Sequence, residues 1–136
     1  MERAESLVTT SKSTRWAGLI VSGLPALFLL VDGVAKLVKP GPVVAETVRL
    51  GYSESTIIPL VIVLVACTIL YLIPATSVLG AILITGYLGG AVATHVRFIE
   101  GAFPIIFPVI IGALIWLGLY LRDPQLRAFI PLRARP

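Results

Sequence analysis

From Ser55 to Val96 the chain runs for 42 consecutive residues without a formal charge. A hydrocarbon core about 30 Å thick needs roughly 20 apolar residues of helix to cross it. The run is therefore long enough for two spans and must fold back on itself. Its turn signal is Pro74, Ala75, Thr76, Ser77, where proline ends one helix and a hydroxyl can cap the next. The expected spans are residues 55–73 and 77–96, antiparallel neighbours joined by a tight turn.

Two more apolar segments flank this pair. The sixteen uncharged residues from Trp16 to Val31 are too few for a crossing, so that helix must continue through Asp32, giving a span over residues 16–36. A long basic region before it, no A-x-A-like cleavage site after it and three later apolar segments make it a retained span rather than a signal peptide. A fourth span covers residues 102–121, with Pro108 expected to bend it. Trp16, Trp116 and Tyr120 lie near span ends, where their amphipathic rings suit the water interface. Composition agrees, with 57% hydrophobic and only 13% charged residues and a mean hydropathy of +0.99; soluble domains carry about a quarter charged residues. The fold class is all-α, a transmembrane four-helix bundle with polar tails at residues 1–15 and 122–136.

The segment between the first two spans reads differently. Lys39, Pro40, Gly41 and Pro42 break the first helix, and Pro42 suits the start of another because its missing N–H would have no partner there anyway. Val43, Val44, Thr47 and Val48 fall on one side of that helix, Glu46 and Arg49 on another, and Gly51 offers a left-handed stop. This predicts a short amphipathic interfacial helix; the plainer alternative is a connecting loop with one helical turn.

The net charge of +4 and a pI near 9.6 do not point to nucleic acid, because the basic residues border apolar runs instead of sharing one surface. They set orientation. Seven Lys and Arg lie on the side of the termini and four, Lys36, Lys39, Arg49 and Arg97, on the other, which puts both termini in the cytoplasm.

Odd-numbered spans end on the same side, so Asp32 and Lys36 from the first and His95 and Arg97 from the third are expected to meet near the outer interface. Asp32 is roughly 24 Å along the helix from Trp16, at membrane depth or just under the headgroups. An ionisable group there is expensive and needs a partner; Lys36, one turn on, is in the favourable order for pairing. Two readings of the cluster stay open. In one, the charges let helix ends cross the interface, Arg97 and Lys39 snorkel to headgroups and His95 bonds a carbonyl. In the other, the four residues line a shallow pocket for the polar head of an amphiphile, His95 and Asp32 exchanging protons and Lys36 or Arg97 holding negative charge.

Small residues form a second pattern. On the third span Gly86, Gly90 and Thr94 recur every four residues beside Thr85, Gly89 and Ala93, two ridges almost without side chains. Gly86, Gly89 and Gly90 are expected to be the seam of the bundle, with a homo-oligomer contact as the alternative. The first span has a weaker version in Gly18, Ser22 and Ala26.

Several chemistries do not fit. Cys67 is the sole cysteine, so there is no C-x-x-C and no internal disulfide; His95 is the sole histidine, so one chain cannot supply two imidazoles to a haem. There is no ligand cluster at metal spacing, no glycine-rich phosphate loop and no Ser, His, Asp constellation. No catalytic residue and no cofactor follow from the residues themselves.

GLPALFLLVDGVAKL in the first span, VRLGY after the amphipathic segment, LGAILITGYLGGAVATHVR in the third span and LRDPQLR after the fourth resemble the DoxX-like family of small four-span bacterial membrane proteins. The similarity covers about residues 16–130. It implies a four-helix bundle in a bacterial inner membrane. The family takes its name from small subunits of an archaeal thiosulfate–quinone oxidoreductase, and other relatives are linked to redox complexes or to membrane-protein assembly; no agreed catalytic residue carries over. The expected role is an accessory component of a membrane complex, touching lipid and with a quinone as candidate ligand. The alternative is a membrane subunit that works with a partner oxidoreductase. A small-solute carrier fits less well, since no span has a charge near its midplane and no repeat is visible.

Overall fold

The computed structural model describes residues 12–38, 40–98 and 101–129. All regular structure within them is helical: α1 Lys12–Leu37, α2 Gly41–Arg49, α3 Ile57–Leu72, α4 Ser77–Phe98, α5 Phe103–Arg122 and α6 Pro124–Phe129, with single 3-10 turns at Glu54–Thr56 and Pro74–Thr76. Among the described residues, four helices are long and apolar enough to cross a membrane, the third and fourth segments each extending one or two residues beyond their sequence-based ends. At 26 residues α1 is the longest, about 39 Å by helical rise, so it outreaches the hydrocarbon core and carries Lys12 and Arg15 past one edge. Helix α5 continues through Pro108 to Arg122. The expectations for residues 1–11, Lys39, Arg133 and Arg135 fall outside the described residues.

The four spans pack in a ring, α1 against α3 and α5, and α4 against α3 and α5. Each span thus has antiparallel neighbours, the arrangement that short connections favour. The core is narrow: Ala26, Tyr71, Ala81, Ile84 and Ile115 are fully buried, with Leu64 and Leu119 beside them. Most of the apolar surface faces outward instead, including Leu24, Ile62 and Val109, each more than half exposed. Such a belt is untenable in water and is what a bilayer solvates.

Close helix approach happens where the smaller signal lay. A Cβ on Gly18 would come within 2.8 Å of the Arg122 amide nitrogen, and one on Gly118 within 2.6 Å of the Ser22 nitrogen. Ser22, which lies against Gly118 in this seam, satisfies its hydroxyl by donating back to the Gly18 carbonyl at 2.7 Å. Gly80 meets the Tyr71 backbone, its added Cβ lying 2.5 Å from the Tyr71 Cα. Gly86, Gly89 and Gly90, expected to form the seam, face open space, with nothing within 4 Å of a Cβ on any of them. The reason is rotational: the buried face of α4 is Ser77, Gly80, Ala81, Ile84 and Leu88, and the glycines point away from it.

Polar ties cross the seams. The Tyr71 hydroxyl donates to the Ile115 carbonyl at 2.7 Å, and Trp116 Nε1 to the Thr85 hydroxyl at 2.7 Å. At the Pro74 turn the expected cap is reversed. Thr76 donates to the Leu70 carbonyl at 2.7 Å and Ser77 to the Ile73 carbonyl at 2.9 Å, so the hydroxyls satisfy orphan carbonyls of α3 instead of opening α4. Helix α2 exists as expected and ends in a Schellman motif: Gly51 N–H reaches the Val48 carbonyl, Tyr52 N–H the Thr47 carbonyl, and Gly51 takes φ +87°. Its Val43, Val44 and Thr47 are half-buried, while Val48 is exposed.

Candidate functional site

Away from the termini the ring of spans opens along its axis. A cavity of about 280 Å³ lies there, lined from all four spans, with Asp32 and Lys36 from α1, Leu64 from α3, Tyr87 and His95 from α4 and Phe107 from α5. Three of the four residues expected to gather thus do so. The fourth, Arg97, does not line this cavity; it is exposed, with its guanidinium 5.7 Å from the Phe98 ring centroid. Two residues beyond His95 is about 200° further round the helix, which turns Arg97 away from the axis.

Lys36 Nζ donates to Asp32 Oδ2 at 2.7 Å, with both side chains about one-third exposed. The pair satisfies the electrostatic demand of a carboxylate at this depth. His95 is different. Its Nδ1 is buried and has no hydrogen-bond partner among the described residues, so the expectation that His95 bonds a backbone carbonyl has no support at that nitrogen. A buried imidazole nitrogen without a partner costs free energy that a ligand group can recover.

His95 also borders a second space. A groove of about 320 Å³ runs between α2 and α4, lined by Thr47, Leu50 and Tyr52 on one side and by Gly86, Gly90, Thr94 and His95 on the other. Tyr87, Ala91 and His95 line both spaces, so this edge of α4 borders the axial cavity on one side and the outer groove on the other. The glycines therefore make the groove floor by having no side chains there. Gly89 and Thr85, from the neighbouring ridge, line another shallow groove on the α5 side, beside Trp116. Tyr52 borders the groove between α2 and α4, its hydroxyl 2.9 Å from the Thr94 hydroxyl, while Thr94 donates to the Gly90 carbonyl at 2.8 Å. Tyr52 and Tyr87 are site residues that the sequence reading missed. The signal for Tyr52 was its place just after Gly51, whose left-handed turn swings the chain back over α4.

A four-span ring with its polar end formed around the DGVAK and THVR segments can be set beside known proteins. The model of the DoxX-like family matches residues 20–118. The chain belongs to the DoxX-like family. That match takes in α3 and α4 entirely, most of α1 and α5, and the whole lining of both spaces. No curated protein and no solved structure matches the chain. In this DoxX-like protein the axial cavity offers one ion pair, one imidazole and otherwise apolar or aromatic walls. Small-molecule pockets in general combine predominantly apolar and aromatic walls with a few placed polar groups.

Proposed function

We propose that this DoxX-like protein is an accessory component of a membrane complex that holds the polar head of an amphiphile, a quinone or a lipid of similar shape, at the Asp32, Lys36 and His95 end of the bundle. The observation carrying this reading is the buried, partnerless Nδ1 of His95 on the wall between an axial cavity and a groove open to the bilayer. A head carbonyl or hydroxyl in the cavity would bond His95 or Lys36, and the tail would leave over Gly86 and Gly90. The alternative, a membrane subunit of a quinone-linked oxidoreductase, uses the same pocket and differs only in the partner. In either case the reading places the protein in a bacterial inner membrane with both termini cytoplasmic, as its distribution of basic residues favours.

The test is ligand content. Protein extracted gently and analysed by mass spectrometry is expected to carry a quinone or related amphiphile in wild type and to lose most of it on His95→Ala, with the fold intact by circular dichroism. Equal ligand content in both proteins would remove the reading.

A further inference from the structure

At the end of the bundle where α1 begins and α5 stops, a second polar site is built into the packing. Gly18 lets α1 press against α5 at Arg122. That approach carries Arg15, nearly one turn earlier, to the rim of a cavity of about 320 Å³ that Arg122, Ser77 and Gln125 also line. The Arg122 guanidinium is held in place. Its carbon lies 4.9 Å from the Tyr71 ring centroid, and Nη2 donates to the Tyr71 carbonyl at 3.2 Å and the Ser77 hydroxyl at 3.5 Å. Its Nε is buried with no hydrogen-bond partner among the described residues.

Neither Arg15 nor Arg122 forms an ion pair among the described residues. The carboxylate in the cavity wall, Asp123, spends its Oδ1 on the backbone N–H groups of Gln125 at 2.9 Å and Leu126 at 3.2 Å. Two cations against one committed anion leave the cavity positive. Guanidinium forks match the oxygens of a phosphate, the anion that phospholipid headgroups present at a membrane surface. Trp16, 59% exposed, sits beside Arg15 in the chain, at the level where aromatic rings mark the headgroups.

We propose that this cradle binds the phosphate oxyanion of an anionic phospholipid headgroup, between Arg15 and Arg122. Free phosphate offers the same oxyanion, but Leu19, exposed and also lining the cavity, gives an acyl chain a path from the headgroup into the hydrocarbon. The site is independent of the His95 cavity at the other end of the bundle.

The experiment uses the full chain in a neutral detergent and follows thermal unfolding during titration with phosphatidylglycerol, phosphatidylcholine or inorganic phosphate at matched concentrations. Phosphatidylglycerol is expected to raise the melting temperature where the other two do not. Arg15→Gln, an exposed position whose change leaves the fold intact, is expected to weaken phosphatidylglycerol binding about fivefold, the effect of one basic residue at a membrane surface, and Arg15→Lys to restore most of it. Equal stabilisation by phosphatidylcholine, or unchanged affinity in Arg15→Gln, would overturn the site. A melting shift reproduced by inorganic phosphate alone would overturn the lipid assignment in favour of a free ion.

Discussion

At the scale of single residues, the Asp32 and Lys36 pair separates the two readings of the charged cluster. Both side chains are about one-third exposed, and such pairs one helical turn apart contribute only about 0.5 kcal/mol. Asp32→Asn is therefore expected to change detergent unfolding by less than about 1 kcal/mol while lowering the amount of bound amphiphile. A large loss of stability with ligand retained would make the pair purely structural. Tyr71 tests the opposite case. Its hydroxyl ties α3 to α5 in the buried core, and Tyr71→Phe is expected to cost about 0.6 kcal/mol, the average for such bonds between membrane helices, with no effect on ligand. Unfolding of the two variants in a denaturing detergent series measures both.

At the scale of elements, the glycines divide into two kinds that the sequence presents alike. Gly80 and Gly118 lie against backbone, so a leucine at either must push helices apart, at about 3 kcal/mol or more. Gly86 and Gly90 have empty space before them; leucine there is expected to leave the melting temperature nearly unchanged and to fill the groove, reducing bound amphiphile. Thermal unfolding of Gly80→Leu beside Gly90→Leu is the comparison, and destabilisation of Gly90→Leu as severe as that of Gly80→Leu would restore the seam to α4. The spans themselves were legible in the sequence because charge is excluded from hydrocarbon irrespective of neighbours: an uncharged run of 42 residues and one proline turn decide α3 and α4. The end of α2 was legible for a local reason, since Gly51 alone can take φ +87° there without strain. The seam was not. Four-residue spacing of small side chains makes a ridge whether a helix or lipid lies across it, and only the rotation of α4, fixed by Ile84 and Leu88 in the core, decides which.

For the whole molecule, the same difference in range explains the site. That Asp32, Lys36 and His95 share one end followed from counting spans, a property of the chain as a whole. That Arg97 turns away, and that Tyr52 folds over Thr94 from a segment 42 residues earlier, depends on helix phase and on the path of α2, which no local pattern encodes. The outward apolar belt makes the bilayer the solvent of this bundle, and the distribution of basic residues favours cytoplasmic termini. A reporter fused to Pro136 is expected to read out as cytoplasmic; an external signal would invert the molecule and place the His95 cavity on the inner side.

Photolabelling tests whether the axial cavity and its groove hold an amphiphile's head beside His95. Membranes containing the protein are illuminated with an azido-quinone, and the labelled peptides are located by mass spectrometry. Label is expected to concentrate on the stretch from Gly86 to His95 and on Tyr52, suppressed by excess unlabelled quinone. Label spread evenly over lipid-facing positions such as Leu24, Ile62 and Val109, with no competition, would contradict it.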